Sequence, residues 1–326
     1  MQKEKLVEIK NLSMFYQITS DFSSFGNKPS FMQALHNVSL DIYKGEILGL
    51  VGESGCGKST LGKSILRLIQ PEGQVLYLGE NVLNFDKKEL KTFRKKAQLI
   101  FQNPYSSLNP RMTIFSILRE PLVVHGIRDK SEINKRVFEI VDLVGLSKED
   151  LKRYPHEFSG GQRQRIAIAR ALILKPDFLV ADEPVSALDV SIQAQIVTLL
   201  KELKEKLDLT VLFISHDLGV VKYLSDRIAV MYLGEIVELA NSNDLFANSK
   251  HPYTKALLSA VPSIHKRENE SISLVGDLPS PKNPPKACKF HTRCSQVMDI
   301  CTQIVPKNVA IGVEHCVKCH LYEEKK

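Results

Sequence analysis

The stretch GESGCGKST, residues 52–60, decides the fold of this 326-residue chain. It matches the pattern G-x-x-x-x-G-K-[S/T], follows the apolar run EILGLV (46–51) and opens STLGKSILRLI (59–69), whose apolar residues have helical spacing. In a strand–loop–helix unit of this kind, glycines let the backbone curve around a phosphate, and backbone N–H groups with the helix N-terminus supply positive potential. The stretch therefore predicts a phosphate-binding loop.

Two positions of the phosphate loop carry specific chemistry. Lys58 is expected to reach the β and γ phosphates of ATP, and the Ser59 hydroxyl is expected to ligate Mg²⁺. The other loop residues expected to surround the nucleotide are Gly52, Glu53, Ser54, Gly55, Cys56, Gly57 and Thr60.

A pair of carboxylates follows a second apolar strand. FLVADE (178–183) ends in Asp182 and Glu183, and an interior strand would not bury two such groups without partners. Asp182 is placed to hold Mg²⁺ through water, and Glu183 is placed to activate the attacking water as a general base. The alternative is that both acids merely begin a surface loop, but the phosphate loop on the same chain favours the catalytic interpretation.

Strand and helix signals alternate along the chain. DFLVAD (177–182) and TVLFISHD (210–217) are typical of short buried strands, and between them lies the amphipathic helix SIQAQIVTLLKELKEKL (191–207). This alternation predicts an α/β fold with a largely parallel sheet covered on both faces. Residues 103–158 contain helical stretches with prolines and no buried strand, so an inserted helical subdomain is expected there.

Composition indicates an ordinary globular protein, with 43% hydrophobic and 25% charged residues. The start, MQKEKLVEIK, lacks the apolar core of a secretory signal, and no stretch approaches the roughly 20 apolar residues of a spanning helix. A cytosolic protein is therefore expected. The net charge of +7 favours a solvated surface over a nucleic-acid footprint, although phosphate ligands or an anionic membrane face would also suit it.

A third motif carries a family resemblance. FSGGQRQRIAIARAL (158–172), taken with the phosphate loop, Gln102 in IFQNP, SALD (186–189) and His216 in ISHD, resembles the nucleotide-binding subunit of ABC transporters. All the expected motifs stand in the family's order. The resemblance covers residues 6 to about 260.

The resemblance implies both an architecture and a composite site. It implies a P-loop NTPase (RecA-like) core with an antiparallel β region in a domain of residues 1–260, followed by a C-terminal cysteine-rich extension of residues 261–326. The usual LSGGQ signature appears with Phe158 in first place, which keeps that position apolar. The small residues at this helix start would act on ATP held by the opposite subunit, so that two cassettes close head to tail. The signature residues are Ser159, Gly160, Gly161 and Gln162.

Four further residues receive roles from the same resemblance. Tyr16 would stack on adenine, with Phe15 as a neighbouring candidate and ordinary core packing as the alternative. Gln102 would sense the γ phosphate and Mg²⁺, and His216 would contact the γ phosphate. Asp189 would line the seam between the two cassettes.

Several stretches resemble a narrower branch of the family. SLNPRM, PVSALDVS and HPYTKALLSAVP are similar to the F-type ATP-binding subunits of dipeptide and oligopeptide importers, a branch that also includes nickel importers. The branch implies a heterodimer with a D-type subunit, two transmembrane permeases, an extracytoplasmic substrate-binding protein and a peripheral place on the cytoplasmic face of the cell membrane. The cargo could be peptides, nickel or another small solute.

Two functions other than transport would also use a nucleotide-binding cassette. An ABC ATPase acting on nucleic acid or ribosomes would suit the basic charge and the cysteines, but such proteins typically have two cassettes or a long coiled-coil insert. A non-catalytic nucleotide binder would not need the intact Glu183 and His216. No nucleic-acid partner is therefore expected.

The C-terminal extension contains five of the chain's six cysteines. In a reducing cytosol such clustering favours a metal site, and zinc or an iron–sulfur cluster would both suit thiolate ligands. The resemblance favours a four-iron four-sulfur cluster. The iron–sulfur motif of this branch is matched by C-x-F-x-x-R-C, by a third cysteine and by a final Cys–His pair, Cys319 and His320. Cys316 would then be a spare thiol. The implied ligands are Cys288, Cys294, Cys301 and Cys319.

Overall fold

A computed structural model of the chain describes residues 3–18, 30–259 and 276–323. The strands in these residues are β1 (Lys5–Ile18), β2 (Ser30–Tyr43), β3 (Ile47–Val51), β4 (Glu72–Tyr77), β5 (Glu80–Asn81), β6 (Ala97–Ile100), β7 (Phe178–Asp182), β8 (Thr210–Ile214), β9 (Arg227–Tyr232), β10 (Glu235–Asn241), β11 (Asn308–Gly312) and β12 (His315–Lys318). The α-helices are α1 (Lys58–Ile65), α2 (Lys87–Lys96), α3 (Pro104–Ser107), α4 (Ile114–Val124), α5 (Lys130–Leu143), α6 (Gly160–Leu172), α7 (Val190–Leu207), α8 (Leu218–Leu224), α9 (Ser242–Asn248) and α10 (Pro252–Ser259).

An eight-stranded sheet forms the centre of the molecule, in the order β11-β12-β10-β9-β3-β8-β7-β6. Strands β9, β3, β8, β7 and β6 run parallel. Every residue of β3, β7 and β8 is buried, because helices cover both faces of this part of the sheet. The predicted α/β fold with a largely parallel sheet is confirmed.

A second, antiparallel sheet has the order β2-β1-β4-β5. Its apolar side chains, among them Leu12, Leu35 and Val75, share one core with α1 residues such as Leu61 and with β3 residues such as Leu50. The sheet is therefore packed against the same strand and helix that enclose the phosphate loop. This is the antiparallel β region that the family resemblance implied.

The chain between β6 and β7 is helical and contains no strand. Side-chain caps begin three of its helices: Thr113 accepts from the Ser116 amide, Asp129 from that of Glu132, and Ser159 from that of Gln162. Helices are the regular elements of residues 103–158, and α6 extends this helical part of the chain up to Leu172.

The end of the chain joins the central sheet. Strands β11 and β12 form a hairpin, and β12 pairs antiparallel with β10 through Glu238 and Leu239. Glu238 also accepts a 2.8 Å hydrogen bond from His315 of β12. Strands β11 and β12, which belong to the predicted C-terminal extension, thus extend the core sheet, and their sequence did not indicate this.

The described parts of the chain contain no helix that is both long enough and apolar enough to cross a bilayer.

Candidate nucleotide site

The phosphate loop lies between β3 and α1, as its sequence predicts. Gly57 has φ of 108°, and a Cβ atom there would lie 2.5 Å from the carbonyl oxygen of Ala34, so only glycine fits. The ammonium of Lys58 donates to the carbonyl oxygens of Gly52 and Glu53 at 2.8 and 3.0 Å. These two hydrogen bonds hold the Lys58 ammonium at the phosphate loop, where it could contact a bound phosphate.

The magnesium ligands predicted from the sequence lie together. The Ser59 hydroxyl donates to Oδ1 of Asp182 at 2.7 Å, across 123 positions of sequence. Burial at the end of β7 raises the pKa of Asp182. A hydroxyl, a carboxylate and the nearby Gln102 amide are oxygen donors that fit Mg²⁺, a cation that also keeps several waters and binds substrate phosphates.

Glu183 is the predicted general base, and both of its carboxylate oxygens have partners. The Gln102 amide donates to Oε2 at 2.8 Å, and Nδ1 of His216 lies 3.4 Å from Oε1. Glu183 also has φ of 46°, a conformation that a residue other than glycine rarely adopts and that is typical of functional sites. The three residues predicted to act on the γ phosphate and its attacking water are thus in one cluster.

One cleft contains the loop and the residues around it. Tyr16 lines this cleft, whereas Phe15, which is 40% exposed, does not. This difference supports Tyr16 over Phe15 as the residue that would stack on adenine. The cleft is lined by Tyr16, Met32, Gln33, Ala34, Ser54, Gly55, Cys56, Gly57, Lys58, Ser59, Thr60, Gln102, Glu183, Leu233, Gly234 and Pro281. Cys56 is 1% exposed, and burial raises the pKa of its thiol.

The signature residues do not line this cleft. Ser159 is exposed at the start of α6, and the Gln162 side chain turns back to accept from the Ser159 amide at 3.0 Å. Gly161 is buried, and a Cβ atom there would lie 2.5 Å from Cγ2 of Ile192. Asp189 is exposed and caps α7 by accepting from the Ile192 amide. Ser159 therefore lies at the surface of this subunit, outside its own nucleotide cleft.

Two residues at the loop were not anticipated from the sequence. The Glu53 amide donates to the hydroxyl of Tyr253 at 2.9 Å, and the Glu53 carboxylate pairs with Arg293 at 2.9 Å. Both partners come from the C-terminal quarter of the chain. The C-x-F-x-x-R-C motif contains this arginine, but no local pattern could show that it reaches a loop 240 positions away.

The four cysteines predicted to bind metal lie near enough to one another to affect each other's pKa. Burial, and to a smaller extent the nearby thiols of Cys301, Cys319 and Cys294, raise the pKa of Cys288 to about 11. No cysteine affects Cys316, whose pKa is raised by burial and lowered by Arg227. Within residues 3–18, 30–259 and 276–323, however, no group of three or more His, Cys, Asp or Glu side chains is placed to hold a metal ion. The metal site stays a prediction.

The central sheet, the phosphate loop and the carboxylate after β7 define an ATPase of the P-loop class. Residues 35–186 match the ABC transporter family, and residues 237–301 match the C-terminal region of oligopeptide/dipeptide transporters. The chain belongs to the ATP-binding proteins of ABC transporters, in the oligopeptide/dipeptide branch and of the F type.

Relatives with curated names match along the whole chain. The oligopeptide transport ATP-binding protein AppF of Bacillus subtilis (strain 168) is 50% identical, with 98% of each chain covered. The oligopeptide transport ATP-binding protein OppF of Haemophilus influenzae (strain ATCC 51907 / DSM 11121 / KW20 / Rd) is 48% identical, with 97% of each chain covered. Among solved structures, the dimeric bacterial ABC transporter cassette MJ0796 is 32% identical with a TM-score of 0.63, covering 72% of this chain and 98% of its own.

Proposed function

We propose that this chain hydrolyses ATP to power an importer of dipeptides or oligopeptides. The observation that carries the proposal is the similarity over the full chain to AppF and OppF, proteins named for oligopeptide transport. The site supports it, because Ser59 of the phosphate loop contacts Asp182, and Gln102 contacts Glu183, the residue proposed as the general base. Energy from hydrolysis would drive cargo through partner permeases.

Reconstitution tests this function. The full-length chain, its partner ATP-binding subunit and two permeases are placed in liposomes with the substrate-binding protein outside. We expect ATP hydrolysis to rise when the binding protein carries a peptide. Stimulation by Ni²⁺ or another small solute, with peptides inert, would reassign the cargo. Hydrolysis that responds to DNA or RNA without permeases would contradict a transport function.

We infer that the partner ATP-binding subunit is a different, D-type chain, and that the pair closes head to tail. Ser159 is exposed and caps the N-terminus of α6, where it would face the partner's ATP. Beside Asp189, the apolar side chain of Val190 is 81% exposed. An exposed apolar residue next to the signature helix suits a seam between subunits. The complex would be peripheral on the cytoplasmic face of the cell membrane, with the binding protein on the other side and no nucleic acid.

We also infer that residues 103–158 form a helical subdomain that receives the permeases' cytoplasmic helices. A surface depression beside α4 supports this inference, because its apolar side chains are bordered by two arginines, which suits an amphipathic helix. Residues lining it include Arg111, Met112, Ser116, Arg119, Val123 and Tyr154.

We propose that Cys288, Cys294, Cys301 and Cys319 hold a four-iron four-sulfur cluster, with zinc as the alternative. Mutual effects on the pKa link Cys288, Cys294, Cys301 and Cys319, and none reaches Cys316. A single zinc ion needs its thiolates within about 2.3 Å of one point, whereas a cluster of several iron ions takes thiolates that lie farther apart. Four thiolates are the usual ligands of such a cluster. The cluster would stabilise the tail or sense redox state, apart from hydrolysis.

A matched pair of cysteine variants tests the cluster. We expect protein purified without oxygen to be brown, with broad absorption near roughly 400 nm, as thiolate-bound iron gives. Cys319→Ser should remove this colour, whereas Cys316→Ser should keep it. Colourless protein with stoichiometric zinc would refute the cluster, and the reverse pattern of variants would move the fourth ligand to Cys316.

A further inference from the structure

An arginine of the C-terminal tail is bound to the phosphate loop. Nη1 of Arg293 donates to both carboxylate oxygens of Glu53, at 2.9 and 3.0 Å. The arginine side chain is 6% exposed and that of the glutamate 24%, so solvent screens this pair less than it screens a surface ion pair. The second residue of the phosphate loop is thereby tied to a segment near the end of the chain.

The surrounding contacts keep this arginine in place. Phe290, three positions earlier, packs edge-on against Tyr232 and also against Tyr253, with ring centroids 5.2 and 5.5 Å apart. Lys289 donates to the carbonyl of Leu233 at 3.0 Å. The tail therefore packs against the β9–β10 turn and against α10. These contacts fix the position from which Arg293 reaches the phosphate loop.

The same glutamate is attached to the loop's catalytic lysine. Its carbonyl accepts from the Lys58 ammonium, while its amide donates to the hydroxyl of Tyr253, which is fully buried. A free carboxylate at this position would repel the phosphates of a nucleotide, because like charges at close range in a partly buried site interact strongly. A guanidinium bound to both oxygens neutralises that charge.

We propose that Arg293 is a positioning residue for nucleotide binding, which neutralises Glu53 and holds the phosphate loop in its binding conformation. The C-terminal tail is then part of the nucleotide site and not only an appendage. This inference rests on the nucleotide site of the ATPase and does not depend on which cargo is transported or on what the cysteines bind.

The test is a double-mutant cycle in the full-length chain. Arg293→Met should weaken binding of Mg·ADP, measured by calorimetry, by roughly fivefold to tenfold, as expected for one unpaired charge near a diphosphate. In the assembled transporter it should raise KM for ATP while kcat changes less than about twofold. In a Glu53→Gln background the same substitution should have little further effect, because no carboxylate remains to be neutralised. Arg293→Lys, which keeps the charge, should fall between Arg293→Met and the unaltered protein.

Lys289→Met is the matched control for loss of tail docking. It removes another tail cation, also next to a cysteine, but one that pairs with Glu235 and not with the phosphate loop. It should lower thermal stability without the same loss of nucleotide affinity. The proposal is overturned if Lys289→Met weakens Mg·ADP binding equally, if Arg293→Met leaves it unchanged, or if the effect of Arg293→Met is as large in the Glu53→Gln background.

Discussion

Glu183→Gln should reduce the rate of ATP hydrolysis by about 10²- to 10⁴-fold, equivalent to roughly 3 to 5 kcal/mol of transition-state stabilisation. The physical reason is that an amide cannot accept the proton of the attacking water. ATP binding should persist, because the proposed contacts of Lys58, Ser59 and Asp182 with the phosphates and Mg²⁺ would not need Glu183. The assembled transporter should then accumulate with its cassettes closed on ATP, which can be measured as retained nucleotide.

A neutral substitution outside the cleft controls for the lost charge. Glu205 is exposed on α7, and Glu205→Gln should hydrolyse ATP at the unaltered rate. If Glu183→Gln hydrolysed ATP at a steady-state rate within a few fold of that of the unaltered complex, the assignment of Glu183 as the general base would be contradicted.

Ser159→Asp should lower hydrolysis by the assembled complex by roughly 30- to 100-fold, because a carboxylate facing the partner's γ phosphate opposes closure by charge repulsion. Aspartate is a good N-cap, so α6 should still begin at Gly160 and the subunit should remain folded. Nucleotide affinity of the isolated full-length chain should not change, since the signature lies outside its own cleft. Calorimetry on the chain and hydrolysis by the complex separate the two effects.

Ser159→Asn is the matched control, because it keeps the cap and adds no charge. It should retain most of the hydrolysis that Ser159→Asp loses. A glycine substitution would be a poorer test: at Gly161 any side chain would collide with Ile192, and misfolding would give the same loss. If Ser159→Asp weakened ATP binding by the isolated chain, the signature would act in its own subunit and the head-to-tail arrangement would be refuted.

Much of the nucleotide site follows from local sequence. The phosphate loop needs glycines, a lysine and a hydroxyl at fixed spacing between a buried strand and a helix, and GESGCGKST has them in that context. Asp182 and Glu183 follow a run that can only be a buried strand, and carboxylates at such a strand end need a partner or a cation. In the structure Ser59 contacts Asp182, and Gln102, which received its role from the family resemblance, contacts Glu183.

The sequence alone therefore determined the class of fold, the phosphate loop and the place of Asp182 and Glu183 at a strand end, because each depends on residues that are neighbours along the chain. Only the tertiary structure decided that Arg293 reaches Glu53 and that β12 extends the sheet beside β10. It also decided that Gly161 packs on Ile192 while Ser159 stays exposed. These contacts join segments that lie far apart in sequence, and which segments meet is set by sheet order and helix packing, not by any local pattern.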